Sequence, residues 1–184
     1  MNFNNVLILP PLKVHQLEDD VARKTADKTK FTNIERSDAF ESLGIAQFYN
    51  GNYAEAISNL EASIAPRYIK VKSKRRVAVI KTLLGSLYYR FGDLQRAELL
   101  FATAGESCRK IHNDKLWSIT LSNLAVVQLR QENTKDAQKN AKAAVDLVQK
   151  IYSRKCSEYL QAVRVQICIY LKMEEYSKAE GLVE

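Results

Sequence analysis

Glycine and proline are scarce in this sequence, with 6 and 3 among 184 residues. Alanine, leucine, glutamate, lysine, glutamine and arginine dominate instead, a mixture that favours helix nearly everywhere. Cysteine is rare too. Cys108, Cys156 and Cys168 are an odd number at unrelated spacings, which argues against a disulfide framework and for a reducing compartment, taken as the cytoplasm. The two histidines, His15 and His112, stand apart from any cluster at metal-ligand spacing, so no metal or other cofactor is expected. No Gly-rich phosphate loop, nucleophile elbow or paired-carboxylate motif is present in the sequence, and no catalytic residue is assigned; the expectation is that the chain is not an enzyme. No apolar run approaches the ~20 residues that a membrane span needs. The opening "MNFNNVLILPPLKVH" carries an apolar patch without a basic lead or a small-residue cleavage site, and it lacks the Arg-rich character of an import presequence. It reads as a poor signal peptide.

What is present is a repeat. Leu43-Gly44 opens "LGIAQFYNGNYAEAISNLEASIA", Leu84-Gly85 opens "LGSLYYRFGDLQRAELLFATAGE", and Leu124-Ala125 opens "LAVVQLRQENTKDAQKNAKAAVD". Each copy has a Leu and a small residue, then Phe48, Tyr89 or Leu129, then a turn at Gly51-Asn52, Gly92-Asp93 or Glu132-Asn133. An alanine follows at 56, 97 or 137, and Leu60, Phe101 or Ala141 comes four residues later. A fourth, degenerate copy runs "VRVQICIYLKMEEYSKAEGLVE", with Ala179 at the equivalent place. In the second half of a copy, Ala97, Phe101, Ala104, Cys108 and Ile111 share one helix face, as do Ala137, Ala141, Ala144, Val148 and Ile151. Pro66 interrupts the same run in the first copy. Two helical patterns per unit, repeated every forty or so residues, predict an all-α helical solenoid.

The pattern resembles the tetratricopeptide repeat, most closely the long-period variety of kinesin light chains, over roughly residues 33–184. It departs from that family at Gln47 and Gln128, where an aromatic is usual, and at Glu132, which replaces the turn glycine. The expected organisation is an N-terminal arm and polar helix at 1–32, then repeats at 33–66, 67–112, 113–153 and 154–184, about three and a half helix pairs. Residues 1–12 are expected to be extended, broken by Pro10-Pro11, with a polar helix at ~14–30. Helices are expected at ~34–50, ~53–65, ~68–91, ~94–111, ~115–131, ~134–152, ~155–172 and ~175–183. Gly44, Gly85 and Ala125 are read as the places where the paired helices cross closely. Gly85→Leu is therefore expected to cost several kcal/mol by overpacking, and Gly85→Ala to be mild.

Function is expected to be non-catalytic: a scaffold, adaptor or assembly module that holds a peptide or a subunit of a larger complex. The resemblance implies that the first helix of each pair lines a concave groove. The inward positions would be Ile45, Phe48 and Tyr49; Ser86, Tyr89 and Arg90; Asn123, Val126 and Arg130; and Arg164, Cys168 and Lys172. "LSNLA" is similar to the kinesin-light-chain "NLA" pattern, which implies that Asn123 holds the backbone of an extended ligand. Phe48, Tyr49 and Tyr89 offer apolar pockets, while Arg90, Arg130, Arg164 and Lys172 bias the remainder positive, so the expected ligand is extended and acidic with one or two apolar anchors.

The formal charge of +7 also suits an acidic partner. Much of that excess lies in "PRYIKVKSKRRVAVIK", residues 66–81. There Lys72, Lys74, Arg75 and Arg76 form a second candidate patch, and the alternative function is nucleic-acid association through it. A solenoid normally closes on a helix with a polar outer face. With Leu182 and Val183 apolar, the expectation is that the chain is truncated there or that the last pair packs on a partner or a second copy.

Overall fold

The computed structural model describes residues 11–27, 29–66, 72–151 and 157–182. Among them are nine α-helices and no strand: α1 (Pro11–Ala26), α2 (Asn33–Asn50), α3 (Tyr53–Ser63), α4 (Lys74–Phe91), α5 (Leu94–Lys110), α6 (Asp114–Arg130), α7 (Thr134–Ile151), α8 (Ser157–Lys172) and α9 (Tyr176–Glu180). The chain forms two compact units, residues 1–80 and 81–184. Short turns join α2 to α3, α4 to α5, α6 to α7 and α8 to α9.

Local chemistry sets the helix ends. Thr32 and Glu35 close a capping box at α2: the Glu35 amide donates to the Thr32 hydroxyl at 3.2 Å, and the Thr32 amide donates to the Glu35 carboxylate at 2.8 Å, satisfying two of the helix's orphan donors. Asp93 and Asn113 likewise accept from the amides of Arg96 and Leu116 at 3.0 and 3.2 Å. The turns after α2 and α4 use Gly51 and Gly92 at φ 83° and 81°. After α6 and α8 the same left-handed conformation falls on Glu132 and Glu174, at φ 64° and 61°, where a Cβ makes it costly.

Two boundaries differ from expectation. Residues 1–10 of the expected arm lie outside those described, but Pro11 is helical, at the first position of α1, where its missing amide proton and fixed φ do no harm. Helix α1 packs its Val14 against Leu43 and Ala46 of α2, with Leu17 and Val21 beside them. Helix α4 starts at Lys74, later than the expected ~68. Ser73 sets that start, its hydroxyl accepting from the Arg76 amide at 3.3 Å and its carbonyl from the Val77 amide at 3.1 Å.

Within each pair the close crossing is matched from both sides. A Cβ on Gly44 would lie 2.8 Å from Leu60 Cγ, and one on Gly85 would lie 2.9 Å from Phe101 Cε1. Leu60 and Phe101 are fully buried. In the third pair Ala125 replaces the glycine, and Ala141 stands at the facing place, both fully buried in one cluster. The missing methyl is what admits the large side chain. The sequence alone suggests that Gly85→Ala is mild; the alanine methyl would instead press on the buried Phe101 ring, so a larger cost is expected.

A second alternation involves the positions that depart from the family pattern. In the first pair Asn59 Nδ2 donates to Gln47 Oε1 at 2.8 Å, and in the third Asn140 Nδ2 donates to Gln128 Oε1 at 2.8 Å. The second and fourth copies put Tyr88 and Tyr170 at the glutamine position, with Leu100 and Leu182 at the asparagine position. There a cation caps each ring, Arg96 at 5.2 Å from Tyr88 and Lys178 at 5.9 Å from Tyr170. A half-buried amide pair and an aromatic capped by a cation are two solutions to one place in the fold.

Candidate partner-binding surface

The expected groove residues belong to the first helices of the pairs, and the structure gives them unequal roles. In the first unit, Phe48 is 6% exposed. It packs edge-on to Tyr49 at 5.3 Å and Tyr53 at 6.1 Å between ring centroids, so it fills the core of its own pair and leaves little surface to a ligand. Tyr49 and Ile45 are half-buried.

In the second unit, Tyr89 and Arg130 come together across neighbouring pairs. The Arg130 guanidinium sits 5.1 Å from the Tyr89 ring centre, and Nη1 donates to the Tyr89 carbonyl at 3.5 Å. Both side chains remain partly open, so the pair offers a flat apolar ring beside a fixed positive charge. Asn123 lies about two helix turns before Arg130 on α6 and is 4% exposed. Its side chain makes no hydrogen bond among the described residues, and its amide oxygen and nitrogen are not sealed from solvent. Val126 is half-buried against the cluster of Ala125, Ala137, Ala141, Val165 and Ile169. Ser86 is buried and turned inward, its hydroxyl donating to the Thr82 carbonyl at 3.0 Å. Arg90, Arg164, Cys168 and Lys172 are exposed.

Two polar features carried no sequence signal beyond the unusual glutamines. Glu98 on α5 accepts from Gln128 at 3.3 Å and Gln131 at 3.1 Å, which ties α6 to the preceding pair. Gln166 on α8 donates to the Tyr170 hydroxyl at 3.1 Å, yet its Oε1 is buried without a partner, an arrangement that costs roughly 1–3 kcal/mol.

Two cations of the basic segment are committed to their own unit. The Lys72 side chain is 2% exposed, with Nζ 3.0 Å from Asp38 Oδ1 and 2.5 Å from Glu41 Oε2. Arg76 reaches the same two carboxylates at 2.9 and 2.8 Å. Burial pushes the Asp38 carboxyl up, but the hydrogen bonds and charges of Lys72 and Arg76 outweigh it and hold the group below its ordinary value. Two of the four patch cations are thus neutralised, leaving Lys74 and Arg75 exposed; Arg67 and Lys70 lie outside the described residues.

Among the described residues no group of three His, Cys, Asp or Glu side chains could hold a metal ion, and no helix is long and apolar enough to cross a membrane. His15 lies 3.6 Å from Glu18 on an exposed face, and His112 occupies a turn at φ 53°.

The helix pairs and their matched crossings define a tetratricopeptide-like helical solenoid. Solved structures share that fold. BtubC (BKLC) from P. vanneervenii superposes with a TM-score of 0.79 at 16% identity, over 93% of this chain and 70% of that one. A Podospora anserina putative kinesin light chain with nearly identical tetratricopeptide-like repeats gives 0.77 at 19% identity, over 92% and 81%. The apo form of RapI gives 0.74 at 13% identity; this chain covers 48% of its length. No protein-family model matches the sequence, and a search of curated proteins returned no significant match.

Proposed function

We propose that this chain is a non-catalytic protein-interaction module whose second unit binds an extended, acidic segment of a partner along α4, α6 and α8. The observation that carries the reading is Asn123. A nearly buried amide that makes no hydrogen bond among the described residues has a donor and an acceptor to spend, and a peptide unit in an extended ligand needs both. Nearby, the Tyr89 ring held under Arg130 supplies an apolar contact next to a positive charge. Arg90, Arg164 and Lys172 extend that charge, favouring a ligand with acidic residues and one or two apolar anchors. The tetratricopeptide-like fold supports a binding role, and Lys72 and Arg76 being paired with acids weakens the alternative that segment 66–81 holds nucleic acid.

The test is selection from a library of short random peptides displayed in extended form, run in parallel on the native protein and on Asn123→Ala/Arg130→Glu. The reading expects acidic sequences with an apolar anchor to be enriched by the native protein and lost with the double variant, whose helicity by circular dichroism stays unchanged. Enrichment that is indifferent to the double variant would remove the groove from consideration.

A further inference from the structure

The first helices of the second unit end on a repeated feature. Arg90 on α4, Arg130 on α6 and Lys172 on α8 hold the same place in successive repeats, and all three are exposed. In the first unit that place belongs to Tyr49. Four other cations of the second unit are already answered, Arg96 by Asp93, Lys110 by Glu106, Lys115 by Glu158 and Lys178 by Glu175. Arg130 and Lys172 form no ion pair among the described residues.

The three helices are neighbours. Val126 and Leu129 of α6 pack against the cluster that holds Val165 and Ile169 of α8, and Arg130 reaches the Tyr89 carbonyl of α4 at 3.5 Å. Axes of helices in such contact lie about 8–10 Å apart. The cations therefore form a row across the helix ends with that step.

We infer, on the groove reading proposed above, that the ligand is a polyproline II segment with an acidic residue at every third position. A β-strand returns a side chain to the same face every second residue, after about 7 Å, which falls short of the step between helices. Its next return, about 13 Å along, overshoots. A polyproline II chain has three residues per turn and advances about 9 Å in that turn. Residues i, i+3 and i+6 then face one side at the step the helices set, and their carboxylates meet Arg90, Arg130 and Lys172 in order.

The central contact is the most fixed. The Arg130 guanidinium lies 5.1 Å from the Tyr89 ring centre and is bonded to the Tyr89 carbonyl. It therefore loses less freedom on binding than the Lys172 ammonium on its flexible stem. The half-buried Tyr89 ring takes the flat face of a proline beside the central acid. Asn123 serves the backbone, because a polyproline II chain makes no internal hydrogen bonds and leaves its peptide groups unpaired.

The probe is a labelled peptide with glutamates at i, i+3 and i+6 and prolines and alanines between them. It is titrated with the full chain at low salt and read by fluorescence anisotropy. Two isomers of the same composition carry the glutamates at every second and every fourth residue. The first peptide should bind saturably, about tenfold more tightly than either isomer. Arg130→Glu, at an exposed site, should weaken it by about tenfold or more. Exchanging the central glutamate of the peptide for lysine should restore binding to that variant, and the same exchange at either end should not. Equal affinity for the three isomers, or equal rescue from every position, would overturn the inference; the groove reading would survive that result only if Asn123→Ala weakened all three isomers alike. No binding of any isomer at ~1 mM protein would remove both.

Discussion

The second and third helix pairs follow one backbone plan with two sets of side chains. In α4–α5, Gly85 makes room for Phe101, Tyr88 is capped by Arg96, and Gly92 takes the left-handed turn. In α6–α7, Ala125 meets Ala141, Gln128 is bonded by Asn140, and Glu132 takes the turn. Each change on one helix is answered on its neighbour, so the pairs are alternative solutions rather than a strong and a degenerate copy. What is kept through the repeat is volume and hydrogen-bond satisfaction at a place, and residue identity is free to move around that constraint.

The crossing gives the largest effect. Phe101→Ala leaves a cavity and should cost about 3–5 kcal/mol, and Gly85→Leu should be comparably severe because a branched side chain meets the Phe101 ring. Gly85→Ala should cost about 1–2 kcal/mol by overpacking. Made on top of Phe101→Ala, however, it should recover stability, since it rebuilds the Ala125–Ala141 arrangement and alanine is worth about 1 kcal/mol over glycine in a helix. Urea unfolding of the four proteins measures that coupling. Strict additivity would mean the two positions do not compensate each other.

The polar alternative should be breakable the same way. Gln128→Leu strands the Asn140 amide and one oxygen of Glu98, with an expected loss of about 1–3 kcal/mol. Gln128→Tyr with Asn140→Leu, copied from the second pair, should lose less than Gln128→Leu alone in the same unfolding assay. A larger loss would show that the surroundings, not the matched pair, decide what fits.

Acid titration separates the start of the third pair from the second. The Glu158 carboxyl, at the N-terminus of α8, is held down to about 2, first by the hydrogen bond from Lys115, which lies 2.6 Å away. A carboxylate depressed in the folded state stabilises fully above its ordinary value of 4.5, and that contribution fades as pH falls toward about 2. With Lys115 half-exposed the contribution is about 1 kcal/mol. Glu158→Gln should therefore lower stability at neutral pH, and thermal melts should show the gap closing on acidification. The smallest change is at the turn: Glu132→Gly should raise stability by about 0.5–1 kcal/mol by relieving the positive φ that Gly92 adopts freely. A lower melting temperature would instead assign the Glu132 side chain a contact of its own.

The periodicity of Leu, small residue, turn and alanine was enough to read the helix pairs and the tetratricopeptide-like fold, because local spacing determines which face of a helix is buried. The long-range answers were hidden. Nothing near Gly85 in the chain announces Phe101 as its counterpart. Nor does "KSKRR" reveal that Lys72 and Arg76 turn back to Asp38 and Glu41 more than thirty residues away. Among the site residues, Arg90, Arg130, Arg164 and Lys172 were open as their exposed helix positions suggest. Phe48 was not, since the choice between a pocket and the core depends on Tyr49 and Tyr53, which offered equally apolar surroundings. Asn123 was read from the repeat as a polar residue facing the groove, and that its side chain makes no hydrogen bond among the described residues needed the neighbouring side chains to be seen.

The most direct test of the proposed role is a photocrosslink. A photoreactive phenylalanine analogue placed at Val126, one turn from Asn123, is irradiated with an acidic extended peptide recovered from the selection, and the same analogue at Leu99, exposed on α5, serves for comparison. A peptide adduct from Val126 with none from Leu99 is the expected result. An adduct from Leu99 with none from Val126 would place binding on the second helices and contradict the account.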